Sequence, residues 1–473
     1  MTTEFFKAIT REDILTENGM PTNSTSGMSL VDMFFKMGGS RTLKESQIIE
    51  MFVKAFGESS LHALKLMFYN RDIRGGQGER RSFRVMWRYL SCVHPEFARK
   101  NIENVPFYGR WDDLLVSLDS PIEGDVADFI LFSLKHGDKL CAKWMPRENK
   151  AGKEIALKLM KLWGMSPRNY RKLLAGNTKV VETLMCNKQW NLIKYEQVPS
   201  VAMKKYRKAW YRNDQERYET YLESLKKGET TIHASAIFPH DLVAPMLNYW
   251  GQRNIANNAE LTQLEEQWKR LPDYVGDLDF IPICDVSGSM FGEPMSVCVS
   301  LGLYLSERNK SKFKNHVITF SERPQLVLLK GVSLFDRVQE LAHVNWGGNT
   351  NLEAVFELIL NQAVKWNLPK EEMPNYILIM SDMQFDYCIK NPSFTAFRMI
   401  SDAYEKAGYR LPQIIFWNLR TSFGVPVSFD QRGTALISGF SPSIMTAILG
   451  GEMNPLSIMF NMINKERYNK VVI

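Results

Sequence analysis

Cysteine is scarce: six occur in 473 residues (Cys92, Cys141, Cys186, Cys284, Cys298, Cys388), and none shares C-x-x-C spacing. That argues against a zinc site or a disulfide framework and fits a reducing compartment. A basic-then-apolar leader is also missing, since the sequence opens Met1-Thr-Thr-Glu-Phe-Phe-Lys7. The longest uncharged run, between Arg432 and Glu452, is interrupted by Gly, Ser, Thr and Pro and makes a poor membrane span. A soluble, cytoplasmic protein is expected. Alternating apolar and polar residues are almost absent before residue 270, so the first half is not built from strands.

What is present is ordinary in amount but uneven in charge. Apolar residues make up 45% and charged residues 23%, as in soluble globular proteins, and 473 residues suffice for two or three domains. Residues 1–275 carry 41 Lys/Arg against 33 Asp/Glu, whereas residues 276–473 carry 18 against 19. Within the first part, residues 135–227 hold 22 basic and 9 acidic side chains, a local balance of +13. Such a block suits a polyanion, because neutralising phosphates releases counterions. A solvated helical surface is the plainer alternative.

Residues 1–30 contain a polar, turn-rich run (Thr16 to Gly27) and read as a flexible arm. Apolar residues then recur at helical spacing: Ile48, Ile49, Phe52, Val53 and Phe56, followed by Leu61, Leu64 and Met67. Further helices are expected at 126–135, 154–163, 166–174 and 180–186, giving a helical module over 31–270 in which helix pairs stack. No repeat of fixed period is visible. Asn70-Arg-Asp-Ile-Arg-Gly-Gly-Gln-Gly-Glu-Arg-Arg81 is not a Walker loop, since no strand precedes it and no Lys-Ser/Thr closes it. A helix start with arginines nearby can still hold a phosphate, and a plain helix-to-helix turn fits equally. Between Trp190 and Lys227, Tyr195, Tyr206, Trp210, Tyr211, Tyr218 and Tyr221 alternate with basic residues. That mixture suits single-stranded nucleic acid. The helical spacing of Tyr206, Trp210, Tyr218 and Tyr221 makes most of these aromatics core residues instead.

An acidic Pro/Gly linker, 271–279, leads into alternating strands and helices over 280–473. The expected elements are a strand from Phe280, a helix over Glu293–Arg308, a hairpin from His316–Ser321 and Gln325–Leu329, and strands at Tyr376–Met380 and Gln413–Trp417. The first strand ends in Asp285-x-Ser287-x-Ser289. A Gly-opened turn downstream presents Thr350, and the strand at Tyr376 ends in Ser381-Asp382. In an open α/β sheet these loops share one mouth, and carboxylate plus hydroxyl oxygens suit a hard divalent cation. Taken singly, each is also a helix-capping residue.

The set Asp285, Ser287, Ser289, Thr350 and Asp382 resembles the metal-ion-dependent adhesion site of von Willebrand A domains. The resemblance implies a doubly wound α/β fold and Mg²⁺ (or Mn²⁺) held by these five residues, with one coordination position open to a partner's oxygen. A second resemblance rests on longer phrases: Arg71-Asp-Ile-Arg-Gly-Gly-Gln-Gly-Glu-Arg80, Tyr108-Gly-Arg-Trp-Asp-Asp-Leu114, Lys143-Trp-Met-Pro-Arg147, Trp190-Asn-Leu-Ile-Lys-Tyr-Glu-Gln-Val-Pro-Ser200 and Ile237-Phe-Pro-His-Asp-Leu-Val243. Together they resemble a family related to the Ro (TROVE) ribonucleoproteins. That implies an all-α, HEAT-like module, ring-shaped in Ro proteins, joined to a von Willebrand A domain. It also implies RNA, single-stranded or misfolded, as partner.

The basic residues taken as RNA-binding candidates are Arg71, Arg74, Arg80, Arg81, Lys143, Arg147, Lys150, Arg168, Arg171, Lys172, Lys204, Lys205, Arg207 and Lys208. No nucleophile with base and orienter can be assembled, because Ser287 and Ser289 have no histidine near them in sequence. The reading is a non-enzymatic RNA-binding protein of ribonucleoprotein type, whose metal site docks a protein partner or the other domain. The alternatives are a protein–protein scaffold without RNA and a metal-dependent phosphohydrolase. No membrane partner is expected.

Overall fold

The computed structural model describes residues 13–149, 151–247, 257–285, 287–320, 323–344, 351–385, 396–420, 424–448 and 452–473. The chain forms two compact units that do not follow its order. One comprises residues 1–43 and 237–465 and holds the large sheet; the other comprises 44–236 and 466–473 and is helical. Among the described residues no helix is long and apolar enough to cross a membrane.

The residues expected to form a flexible arm are instead built into the sheet unit, from residue 13 onward. Strands β1 (Asp13–Leu15) and β2 (Pro21–Asn23) form a hairpin. Its short polar side chains are used as hydrogen-bonding groups: Thr16 Oγ1 donates to the Phe385 carbonyl at 2.7 Å and Asn18 Nδ2 to that of Gln384 at 2.7 Å. The amide of Asn23 donates to the Val425 carbonyl and that of Val425 to Asn23. Helix α1 (Ser29–Met37) follows, burying Leu30, Val31, Met33, Phe34, Phe35 and Met37. Its last carbonyls, which lack intrahelical donors, are met by the sheet: Ser438 Oγ donates to Phe34 O at 2.7 Å and Asn418 Nδ2 to Phe35 O at 3.2 Å. The helix closes on Gly38, where a Cβ would stand 2.5 Å from the Gly439 nitrogen. Gly38→Ala should therefore push α1 off the sheet and cost about 1–3 kcal/mol, read as a lower urea midpoint.

The helical unit is built from α2 (Glu45–Glu58), α3 (Ser60–Arg71), α4 (Arg81–Val93), α5 (Glu123–Lys135), α6 (Lys153–Leu162), α7 (Pro167–Asn177), α8 (Ser200–Asn213) and α9 (Gln215–Lys226), with shorter helices between them. Apolar spacing near 3.6 gives most of them an inward stripe. Helix α3 is buried continuously from Ala63 to Arg71, and Phe68 packs among Phe83, Trp87 and Tyr108 at centroid distances of 5.6, 6.2 and 5.2 Å. The chain's last eight residues complete this unit. Tyr468 is fully buried and stacks on Tyr108 (5.5 Å, 17°), while Arg467 and the Tyr468 hydroxyl both reach the buried carboxylate of Asp72. Asn104 and Asn101 donate to the carbonyls of Lys470 and Val472 at 2.8 and 2.7 Å.

The compact units divide at 236/237, within the span expected for the helical module, 31–270, and ahead of the expected linker, 271–279. Helix α10 (Asn258–Lys269) belongs to the sheet unit because its Trp268, almost wholly buried, packs on Tyr304 and donates through Nε1 to Glu307 at 2.7 Å. The six-stranded sheet contains β3 (Phe280–Asp285), β4 (His316–Phe320), β5 (Leu326–Leu328), β6 (Tyr376–Ser381), β7 (Gln413–Asn418) and β8 (Thr434–Ser438), in the order β5-β4-β3-β6-β7-β8. All neighbours are parallel except the β4–β5 edge pair, as the hairpin pattern anticipates. Strand β8, fully buried, was not anticipated. Pro282, which cannot donate to a ladder, falls where β3 is paired with β6 alone. Helices α11 (Glu293–Arg308), α12 (Leu334–Ala342), α13 (Leu352–Lys365), α14 (Ala396–Lys406) and α15 (Pro455–Ile463) accompany the strands. The result is a helical unit and an α/β unit with a mixed six-stranded sheet.

Candidate metal centre and basic surface

Strands β3 and β6 lie side by side in parallel, with Cys284 level with Met380, so the residues after their carboxyl ends meet. Asp285 ends β3 and Ser381-Asp382 ends β6. Asp285 is fully buried; its Oδ1 accepts the Ser287 amide at 2.9 Å and its Oδ2 the Ser381 hydroxyl at 2.6 Å. The hydroxyls of Ser287 and Ser289 are 3.0 Å apart. Asp382, also buried, accepts the Gln384 amide at 3.2 Å through Oδ1. Burial, and next the charge of Asp382, push the Asp285 carboxyl up to about 7, against the hydrogen bonds from Ser381 and Ser287.

Two buried carboxylates that repel one another, beside two hydroxyls, form a donor set made wholly of oxygen. It fits a hard dication, which would supply the charge that pairing and burial withhold. Asp285, Ser287, Ser289 and Asp382 come together here, and Thr350 lies outside the described residues.

Three contributors were not anticipated. Ser381 fixes one oxygen of Asp285 while accepting the Met383 amide at 3.0 Å. Met383 holds φ of 64°, a left-handed backbone that a side chain disfavours, directly after Asp382. Arg420, two residues beyond β7, donates to the Ser289 carbonyl. The Ser-Asp pair closing β6 was a visible signal; that for Arg420 was only its place just beyond a strand end. His316 and His343 each turn a ring nitrogen to a backbone carbonyl, of Lys314 and Gln339, at 2.9 and 2.7 Å.

On the helical unit the candidate RNA contacts separate into two groups. Arg71 is corrected: it is 2% exposed and ion-paired to Asp113 at 2.7 Å, since a guanidinium inside the fold needs a carboxylate. Lys143 pairs with Glu182 at 2.8 Å, Arg171 pairs with Glu148, and half-buried Arg147 donates to Thr178 Oγ1 at 3.1 Å. Lys204 and Arg207 are half-buried, with Arg207 donating to the Lys204 carbonyl at 3.1 Å. Arg74, Arg80, Arg81, Arg168, Lys172, Lys205 and Lys208 are exposed, and Lys150 lies outside the described residues. Tyr195, Trp210, Tyr218 and Tyr221 are buried and pack together, with Tyr195 5.6 Å from Trp210 and 5.3 Å from Tyr221. Trp210, Tyr218 and Tyr221 are core, as their helical spacing indicates, and Tyr195 joins them, whereas Tyr206 is half-buried.

The model of a domain of unknown function, DUF2828, matches residues 16–127 and 130–278. An uncharacterized protein of Acanthamoeba polyphaga mimivirus is 31% identical, over 97% of this chain and 88% of that protein. The chain belongs to the DUF2828 family. A second domain of unknown function, DUF7788, matches residues 279–469. The two matched segments of this DUF2828 chain meet at 278/279, whereas its compact units divide at 236/237. The crystal structure of the Deinococcus radiodurans Ro (RSR) protein is 13% identical, with a TM-score of 0.37, covering 89% of this chain and 99% of that one.

Proposed function

We propose that the protein is a non-enzymatic, RNA-binding protein of ribonucleoprotein type. Its helical unit, of the HEAT-like kind, holds single-stranded or misfolded RNA on its basic surface. The observation that carries this reading is the +13 balance over residues 135–227, combined with the exposure of Arg168, Lys172, Lys205 and Lys208. Solvated cations at that density attract phosphates, and each neutralised phosphate releases counterions. Because Tyr195, Trp210, Tyr218 and Tyr221 are spent on the core and Trp190, Tyr206 and Tyr211 are half-buried, the contact is dominated by the backbone rather than by stacked bases.

The α/β unit, of the von Willebrand A kind, would take Mg²⁺ (or Mn²⁺) at Asp285, Ser287, Ser289 and Asp382, with Thr350 as the fifth residue of the set. Two carboxylates only neutralise the ion, giving it less negative charge than catalytic two-metal clusters carry, which favours capturing a partner's carboxylate over generating hydroxide. The two serine hydroxyls bond to each other, and neither is set up as a nucleophile.

Reversing charge at Arg168 and Lys172 together (R168E, K172E) should weaken binding of a labelled single-stranded RNA by tenfold or more. Unchanged affinity in a folded variant counts against the basic surface. If the wild-type chain binds no RNA, the scaffold reading takes its place. Independently, Asp382→Ala should abolish Mg²⁺ or Mn²⁺ uptake measured by calorimetry; uptake at the wild-type level would remove the ligand assignment.

A further inference from the structure

The turn between α3 and α4 is folded tightly on its own backbone. The amides of Gly76 and Gly78 both donate to the Asp72 carbonyl at 3.1 Å, that of Gln77 to Tyr69 at 3.1 Å, and that of Glu79 to Asn70 at 2.8 Å. No side chain fits at Gly76, where a Cβ would lie 1.9 Å from the Tyr69 oxygen. This fixed turn delivers Arg80 and Arg81 to the start of α4, a helix of 13 residues with no capping side chain and no acid in its first turn. Arg84 follows one turn later. Helix N-termini attract negative charge, so arginines here have the wrong sign for the fold alone.

The surrounding charges sharpen the anomaly. Asp113 is held by Arg71 and Arg84 at 2.7 and 2.6 Å, and Asp112 by Arg84 and Arg110 at 2.8 and 2.5 Å. Arg110 is also braced by the Trp144 ring, 3.7 Å from its guanidinium. Two carboxylates are thereby shared among three arginines, and no carboxylate pairs with Arg80 among the described residues. After burial, the charges of Arg110, Arg84 and Arg71 lower the pKa of Arg80, opposed by Asp112. Arg80 is nonetheless exposed, so an anion can reach it.

We propose that Arg80, with Arg84, Arg110 and the amino end of α4, forms a docking site for a phosphate group of RNA. The site deepens the RNA-binding reading and rests on it. Guanidinium forks match phosphate oxygens, the dipole of α4 favours negative charge at this end, and the bound group supplies the negative charge that the cluster lacks. The phosphate is terminal or internal to the strand.

The test uses the full chain and single-stranded RNA carrying either a 5′-phosphate or a 5′-hydroxyl. Arg80→Glu should weaken binding at least tenfold, and Arg80→Gln should reduce the slope of log affinity against log salt by about one. Because removing Arg80's charge relieves repulsion, Arg80→Gln should raise the melting temperature while it lowers RNA affinity; damage to the fold would lower both. A preference of more than threefold for the 5′-phosphate assigns a terminal group, and equal affinity assigns an internal one. Inorganic phosphate alone should protect the wild type against thermal unfolding more than it protects Arg80→Gln. Failure of the wild type to bind RNA, with that protection intact, would overturn the RNA reading and leave an anion site. If wild-type RNA affinity and phosphate protection both survive Arg80→Gln and Arg80→Glu, the site is refuted.

Discussion

Tyr468→Ala should destabilise the helical unit by about 3–5 kcal/mol, although residue 468 lies only five positions from the chain's end. The ring is fully buried, stacked on Tyr108 and edge-on to Tyr69 at 6.0 Å. Its hydroxyl is 3.1 Å from Asp72, a carboxylate with no solvent exposure. Truncation removes an aromatic plug and one of the donors that keep this carboxylate tolerable in the interior. Tyr468→Phe keeps the plug and should cost only about 1 kcal/mol. Arg467→Ala leaves the Asp72 charge without its ion pair and should approach the cost of removing the ring, because a buried unpaired charge is penalised by roughly 3–5 kcal/mol. Urea unfolding followed by far-ultraviolet circular dichroism, which is dominated by helix, reads all three. Equal stability of Tyr468→Ala and wild type would show that residues 466–473 do not belong to the helical core.

Asp285→Asn should make the metal-free protein more stable, and should leave its stability indifferent to added Mg²⁺. The carboxylate is buried beside Asp382, and its pKa is raised to about 7; in the unfolded chain it ionises near 4. The folded state therefore binds the proton more tightly. The stability this group contributes is fully present below pH 4 and is lost as pH rises to about 7. With EDTA present, the wild type should lose roughly 2–4 kcal/mol across that window through this group, and the asparagine variant should not. A bound dication favours the ionised carboxylate, so Mg²⁺ should protect the wild type far more at pH 8 than at pH 5. Protection of Asp285→Asn by Mg²⁺ to the wild-type extent would show that the ion binds elsewhere.

The parts of this molecule that were legible in the sequence are those fixed by local pattern. The largely apolar helix over Glu293–Arg308 lies where its composition puts it, and the two short apolar runs His316–Phe320 and Leu326–Leu328 pair as the antiparallel edge of the sheet. Strand-end Asp and Ser residues mark the mouth above β3 and β6 because a strand that stops in carboxylates and hydroxyls presents them to one another in a parallel sheet. What could not be read depends on contacts remote in sequence. Thr16, Asn18 and Asn23 resemble loop residues because their partners lie beyond residue 380, at Phe385, Gln384 and Val425. Tyr468 sits in a charged, tail-like run, and only Asp72 and Tyr108 make it a core residue. Arg71 carries the same charge as Arg74, yet one meets a buried carboxylate and the other meets water. Strand β8 is a five-residue run whose flanking glycines suggest a loop, until pairing with β7 on one edge and cover by α1 bury it.

RNA binding by the basic helical unit is the claim on which the functional account turns. Its most direct measurement is the affinity of the purified full-length chain for single-stranded RNA across a series of salt concentrations. Neutralisation of several phosphates should appear as a straight decline of log affinity with log salt, losing about 0.7 per phosphate neutralised. A slope indistinguishable from zero, or no binding at the lowest salt, would contradict it.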